Sequence, residues 1–273
     1  MRVKWILDAG CWFLAGSFCA WACSLCVEWA WLRGATGGAM MRALWWGGRK
    51  EMGVSDLDRQ TGYWDRVAGE KSFTHPLNVE RLGARVGREG RVLDYGCGYG
   101  RTCAALHAAG FGNCVGVDVS REMVGQGRGL YPHLDLRVLE GDGLPFGDGG
   151  FDAVLLFAVL TCVVTDAGQR AVVAEARRVL RPGGLLYVSG YPLQDDERNR
   201  RRYEQWAGTY GVYGAFALAD GGVVRHMSGE WLAELFGGFE QVGMDALTVS
   251  TMNGHPTRIF QYLGVKPIGA DQG

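Results

Sequence analysis

Residues Arg91 to Arg101, reading RVLDYGCGYGR, constrain the fold of this chain more than any other stretch. Val92 and Leu93 form a short apolar run that ends in Asp94, and Gly96, Gly98 and Gly100 follow at every second position. Thr102 to Ala109 then reads as helix. Strand, glycine turn and helix in immediate succession is the arrangement by which α/β folds bring bare backbone up to a nucleotide-like ligand. Glycine suits the turn because it adopts positive φ and carries no Cβ to hold a ligand away. The dinucleotide fingerprint requires its third glycine three residues after the second, and Arg101 stands at that position. The spacing here is G-x-G-x-G, with an acid two residues before the first glycine.

The following segments agree with a parallel α/β sheet. Asn113 to Val117 is a second short apolar run, ending at Asp118, and Ser120 is placed to cap a helix from Arg121. An acid at the end of a second strand can accept hydrogen bonds from both hydroxyls of a ribose. Leu134 to Glu140 reads as a third strand leading into GDGLPF at 141–146. Phe151 to Leu160 is nearly continuous in apolar residues, as expected of a central strand buried on both faces. A helix is expected from about Asp166 to Leu180, broken by Arg181-Pro182-Gly183-Gly184 ahead of a strand at Leu185 to Ser189. A helix near Ser228 to Phe236 and closing antiparallel strands at Phe239 to Val249 and Thr257 to Leu263 complete the pattern.

The glycine loop with its preceding acid, the GDGLPF loop and the string RRVLRPGGLLYVSGY together resemble class I S-adenosylmethionine-dependent methyltransferases, in particular the type 11 methyltransferase domain. The resemblance covers roughly Tyr63 to Lys266. It implies a Rossmann-like, doubly wound, seven-stranded, mostly parallel sheet with helices on both faces, and S-adenosylmethionine as cofactor. From the first loop it implies cofactor contacts by Asp94, Tyr95, Gly96, Cys97, Gly98 and Gly100, and from the second strand end by Asp118, Val119 and Met123. Asp142, Gly143 and Leu144 form the loop whose acid, in the family, meets the adenine amino group, a donor that needs an acceptor. Phe157 joins them from the end of the fourth strand. Cys97 also reads as a small filler, and Tyr99 and Arg101 face either ligand or solvent.

At 273 residues, 48% hydrophobic and 21% charged, the chain has the composition of a globular α/β domain with extensions. A net charge of −1 supplies no global field for nucleic acid or an anionic membrane. The methyltransferase-like region is read as a helical cover at 52–90, a core at 91–190, a substrate cap at 191–226, a closing helix and strands at 227–266 and a tail at 267–273. Cysteines 97, 103, 114 and 162 are scattered through it and read as buried small residues in a reducing compartment, and a cytoplasmic location is expected. Cys23 and Cys26 form a lone C-x-x-C, so no zinc site is expected.

Residues 1–51 are an atypical N-terminal extension rich in Trp and Cys. Ala9 to Val27 is nineteen residues without a charge, long enough to span a bilayer. Three readings stay open there: a signal peptide, an anchor holding the catalytic domain on the cytosolic side, and translation beginning at Met52. The last is favoured, because Lys4, Lys50, Lys71 and Lys266 are the four lysines among 28 Lys and Arg residues. So strong an arginine bias suggests a GC-rich coding sequence, in which upstream triplets read in frame without stops.

Tyr63 or Trp64 is placed to wall the methyl donor, since aromatic faces suit a sulfonium cation. His75, ahead of Pro76, is read as a turn histidine rather than a base. Asp195-Asp196-Glu197 followed by Arg198, Arg200, Arg201 and Arg202 reads as a solvated helix, with a lid whose arginines grip an anionic substrate as the alternative, and Tyr203 to Phe216 as a flexible aromatic cap. A small-molecule acceptor is expected, and no nucleic acid. After the fourth strand no Asn/Asp-Pro-Pro-aromatic motif follows, which disfavours amino methylation of bases, and Cys162 reads as packing rather than as a nucleophile. A nicotinamide-dependent oxidoreductase and a SAM-binding protein without turnover remain as alternatives, the first disfavoured by Arg101.

Overall fold

The computed structural model describes residues 54–141, 143–251 and 254–269. The extension at 1–51, Asp142 and most of the 267–273 tail lie outside the described residues. Among the described residues no helix is long and apolar enough to cross a membrane.

The sheet is built from β1 (Val92–Tyr95), β2 (Cys114–Asp118), β3 (Asp135–Val138), β4 (Phe151–Phe157), β5 (Leu180–Gly190), β8 (Glu240–Ser250) and β9 (Pro256–Val265). Their order is β3-β2-β1-β4-β5-β9-β8. β1 to β5 pair in parallel, and β9 runs antiparallel to both β5 and β8. Strand order reverses between β1 and β4, so the crevice at their carboxyl ends is the place where such a sheet takes a ligand.

Alternation along the central strands explains the two faces. Val154 and Leu156 of β4 pack with Val173, Ala176 and Val179 of α7 (Asp166–Val179). Ala153 and Leu155 point the other way, into a cluster with Leu82 of α3 (Val79–Gly83) and Leu106 of α4 (Arg101–Ala108). α5 (Arg121–Leu130) starts where expected, with the Ser120 side chain accepting from the Met123 amide.

Two expectations are corrected. β5 begins at Leu180 rather than Leu185, because Leu180 pairs with Phe151 and Leu185 with Ala153 across a bulge that absorbs Pro182 and Gly183. The stretch after β5 is ordered rather than a flexible cap. It holds α8 (Glu197–Tyr210), capped by Asp196, and an antiparallel hairpin of β6 (Ala215–Ala217) and β7 (Val223–Arg225). Arg198, Arg200 and Arg201 of α8 are exposed, with Arg201 paired to Glu197 one turn earlier, whereas Arg202 lies over the Phe216 ring at 4.2 Å.

The hairpin is fastened to the residues that precede the sheet. α1 (Val54–Arg59) is followed by Gln60, which donates to the carbonyls of Cys162 and Val223, both at 2.8 Å, and accepts from the Val223 amide at 2.7 Å. From α2 (Thr61–Val67), Tyr63 donates to Asp220 beyond β6 and Arg66 donates to its carbonyl. Gly222 must be glycine at this seam, because a Cβ there would lie 2.5 Å from the Tyr63 ring. α2, the hairpin and the short α6 (Val159–Cys162) thus form one roof over the carboxyl ends of the strands.

Candidate functional site

Under that roof lies a cavity of about 340 Å³. β1 delivers the chain into it through a turn fixed by the Gly96 and Cys97 amides, which both donate to the Val117 carbonyl. Gly96, Gly98 and Gly100 adopt φ of 83°, 54° and 83°, the left-handed region that disfavours any side chain. Space is equally restrictive: a Cβ at Gly96 would stand 2.4 Å from Val159 Cγ2, and one at Gly98 2.6 Å from Phe73 Cε2. Tyr95, Gly96, Cys97 and Gly98 all line the cavity.

β2 supplies the second wall. Asp118 is held by two backbone donors, the Gly98 amide to Oδ2 and the Ser120 amide to Oδ1, each at 2.8 Å. Burial raises its pKa, and the two amides oppose that rise. The carboxylate is therefore locked in orientation with lone pairs left over for a ligand. Val119 and Met123 line the cavity beside it, and Phe157 does so from the end of β4.

Other expected residues fall elsewhere. Asp94 is 1% exposed and lies behind the loop, where it accepts from Cys103 Sγ at 3.4 Å. Burial pushes its pKa up to about 7. Gly100 is filled over by Leu136, whose Cδ1 would be 2.7 Å from a Cβ there. Gly143 and Leu144 are not part of the cavity wall. The Leu144 amide donates to Glu175 on α7, and Arg178 of the same helix donates to the Leu144 carbonyl, so this loop is tied to the helix. Leu139, just before it, lines the cavity instead. Trp64 lines the cavity, whereas Tyr63 is turned to Asp220.

Beyond Phe157, sequence reasoning missed the β4 and β5 side of the cavity. His75 is not a turn histidine: it is 3% exposed, lines the cavity, and its Nδ1 lies 2.8 Å from Ser189 Oγ at the end of β5. The Tyr191 ring meets it edge-on at 4.8 Å. Burial, reinforced by the Arg101 guanidinium, lowers its pKa to about 4, so it is neutral at physiological pH. Ala158 adopts φ of 63° at the end of β4, and its amide donates to the Ser189 carbonyl. A left-handed alanine in a cavity wall is stored strain of the kind found at functional sites. Cys162 donates to the Ala158 carbonyl at 3.3 Å, and burial pushes its thiol pKa up to about 12, so it packs and does not attack.

The buried histidines make stability depend on pH. His75 and His226 (pKa lowered to about 3, chiefly by burial and then by Arg202) stay neutral in the fold but protonate in the unfolded chain below about pH 6.5. Between pH 6.5 and 4 the unfolded state binds more protons, so their contribution falls as pH falls. Asp94 acts with opposite sign from the unfolded carboxylate range up to about pH 7. In urea unfolding, the wild type should lose about 2 kcal/mol more than His75→Asn between pH 7 and 4.5. Equal losses would mean that His75 is not buried neutral.

A parallel sheet reversing between β1 and β4, a glycine loop at the first strand end and a locked acid at the second define the class I methyltransferase fold. Residues 93–188 match the family model described as a methyltransferase domain. An uncharacterized methyltransferase of Synechocystis is 34% identical over 120 residues, covering 44% of this chain and 54% of the relative. A demethylmenaquinone methyltransferase of Beutenbergia cavernae is 40% identical over 116 residues, covering 41% and 45%. The chain thus spans about half the length of these curated relatives. A solved SAM-dependent methyltransferase from Methanosarcina mazei superposes with a TM-score of 0.66 at 21% identity, over 72% of this chain and all of that one, a likeness of fold. The family implies S-adenosylmethionine as the cofactor.

The residues present suit that molecule. The side-chain-free cradle at Gly96 and Gly98 admits backbone contact, and Asp118 offers a fixed acceptor pair for vicinal hydroxyls. Arg101 lines the cavity and its Nε is buried without a hydrogen-bond partner, which leaves a cationic donor for a carboxylate.

Proposed function

We propose that this chain transfers a methyl group from S-adenosylmethionine to a small-molecule acceptor. The observation that carries the reading is the Asp118 carboxylate, fixed by the Gly98 and Ser120 amides at the mouth of the glycine cradle. Gly96, Gly98, Asp118 and Met123 would hold the nucleoside, Arg101 the carboxylate, and Trp64 an aromatic wall near the sulfonium. S-adenosylmethionine, when bound, supplies a methyl group made electrophilic by a cationic sulfur. What the chain adds is a largely apolar enclosure and alignment, since an in-line displacement depends on positioning. A small acceptor is supported by the cavity volume of about 340 Å³ and by the demethylmenaquinone methyltransferase among the relatives. The reaction is assigned to the cytoplasm, where the methyl donor is made. Asp94, Gly100, Gly143 and Leu144 are left as supports of the loops rather than assigned contacts, and Asp142, outside the described residues, stays an expected contact only.

The test is incubation of the full chain with methyl-labelled S-adenosylmethionine and a small-molecule extract. Label in an organic-soluble product, with release of S-adenosylhomocysteine, is the expected result. Cofactor binding without transfer to any fraction would leave a binding protein and end the enzymatic reading.

A further inference from the structure

The cavity has two ends, and only one belongs to the glycine loop. The other is walled by His75, Thr161 and Tyr191 over the ends of β4 and β5, and by Leu218 and Val224 of the hairpin region. Its position follows from Ser189, whose hydroxyl meets His75 and whose carbonyl accepts from Ala158. This end is largely apolar, and besides the Tyr191 hydroxyl its side-chain polar atoms include His75 Nε2 and Thr161 Oγ1. The last two belong to residues 3% exposed, and neither has a hydrogen-bond partner. Buried polar atoms left unpaired in this way are costly unless something else meets them.

The charged residues around the cavity are engaged or belong to the other end. Asp58 accepts from the Val164 and Thr165 amides and from the Thr165 hydroxyl. Arg59 donates to the Gly141 carbonyl and Arg101 to the His75 carbonyl. An acceptor that enters here meets apolar walls, the hydroxyls of Thr161 and Tyr191 and one imidazole nitrogen.

We infer that this end is the acceptor compartment, that it takes an uncharged, largely apolar molecule bearing a phenolic or alcoholic hydroxyl, and that His75 Nε2 receives the hydroxyl proton. The inference rests on the methyltransferase reading above. With Nδ1–H donating to Ser189 Oγ, Nε2 keeps a lone pair directed away from that bond. The hydroxyl oxygen forms a bond to the methyl carbon as the carbon–sulfur bond breaks, the electron pair of that bond stays on sulfur, and the proton passes to Nε2. The products are an ether, a thioether and an imidazolium, which returns its proton to water. A weakly basic imidazole is sufficient because the proton becomes strongly acidic as the oxygen is alkylated. Neutral amines need no such acceptor, and a carboxylate would lose more solvation here than the walls return.

His75→Asn tests this directly. Its amide can keep the bond to Ser189 Oγ and removes Nε2. Calorimetry with S-adenosylmethionine and with simple phenols is read beside methyl transfer to matched phenols, long-chain alcohols, amines and carboxylates. Transfer to the phenol or alcohol oxygen is expected, falling by 100-fold or more in the variant while cofactor affinity stays within twofold. Transfer only to amines or carboxylates, an undiminished rate in the variant, or binding of cofactor without transfer to any hydroxyl would each overturn the assignment. A large loss of cofactor affinity in the variant would place His75 on the donor side and overturn it as well. Failure of the wild type to bind S-adenosylmethionine would instead overturn the underlying methyltransferase reading.

Discussion

Gly98→Val is expected to abolish binding of S-adenosylmethionine in a chain that still folds. Two independent constraints meet at this position. Its φ of 54° is left-handed, where a β-branched residue is most disfavoured, and its Cβ would be 2.6 Å from Phe73. Phe73 has little room to yield, because it stacks on Tyr99 with ring centroids 5.2 Å apart. The loop must therefore move, and with it the Gly98 amide that orients Asp118. A loss of affinity of more than about 100-fold is expected by calorimetry, given roughly 1–2 kcal/mol of left-handed strain, the displaced loop and the lost acceptor geometry. Gly125→Ala is the matched control, since that helical glycine has open space at its Cβ position. Wild-type affinity in Gly98→Val would detach the glycine loop from the cofactor.

Asp118→Ala is expected to weaken the same binding by about 1–3 kcal/mol, the range for losing hydrogen bonds to a charged group. Alanine also leaves the Gly98 and Ser120 amides without their acceptor, so part of the loss arises from a looser loop. Asp118→Asn separates the contributions. One end of its amide must present N–H groups to a backbone N–H, so it too should bind more weakly than wild type. An unchanged dissociation constant in folded Asp118→Ala would remove the ribose role.

The placement of these two residues was legible in the sequence because the geometry that sets it is local. A short apolar strand ending in glycine or aspartate, followed at once by a helix cap, determines both the turn and its place at the sheet edge. Ser120 illustrates how far such local chemistry reaches, capping α5 where the sequence put it. The acceptor side was not legible, because its geometry is made by distant pairs. His75 finds Ser189 across 114 residues, and a histidine before proline carries no local trace of that partner. The hairpin was hidden for a similar reason. Its strands are three residues each, and Gly222, which leaves room for the Tyr63 ring, carries no local trace of that distant partner. Asp94 shows the converse. Its spacing to the glycines matches a ligand-binding acid, yet its carboxyl turns inward to Cys103 and lies outside the cavity wall.

The most direct test of the account is a calorimetric titration of the full chain with S-adenosylmethionine, run beside an identical titration with NADH. Saturable binding of one equivalent of S-adenosylmethionine and no heat from NADH is the predicted result. Saturable binding of NADH, or no binding of S-adenosylmethionine, would contradict it.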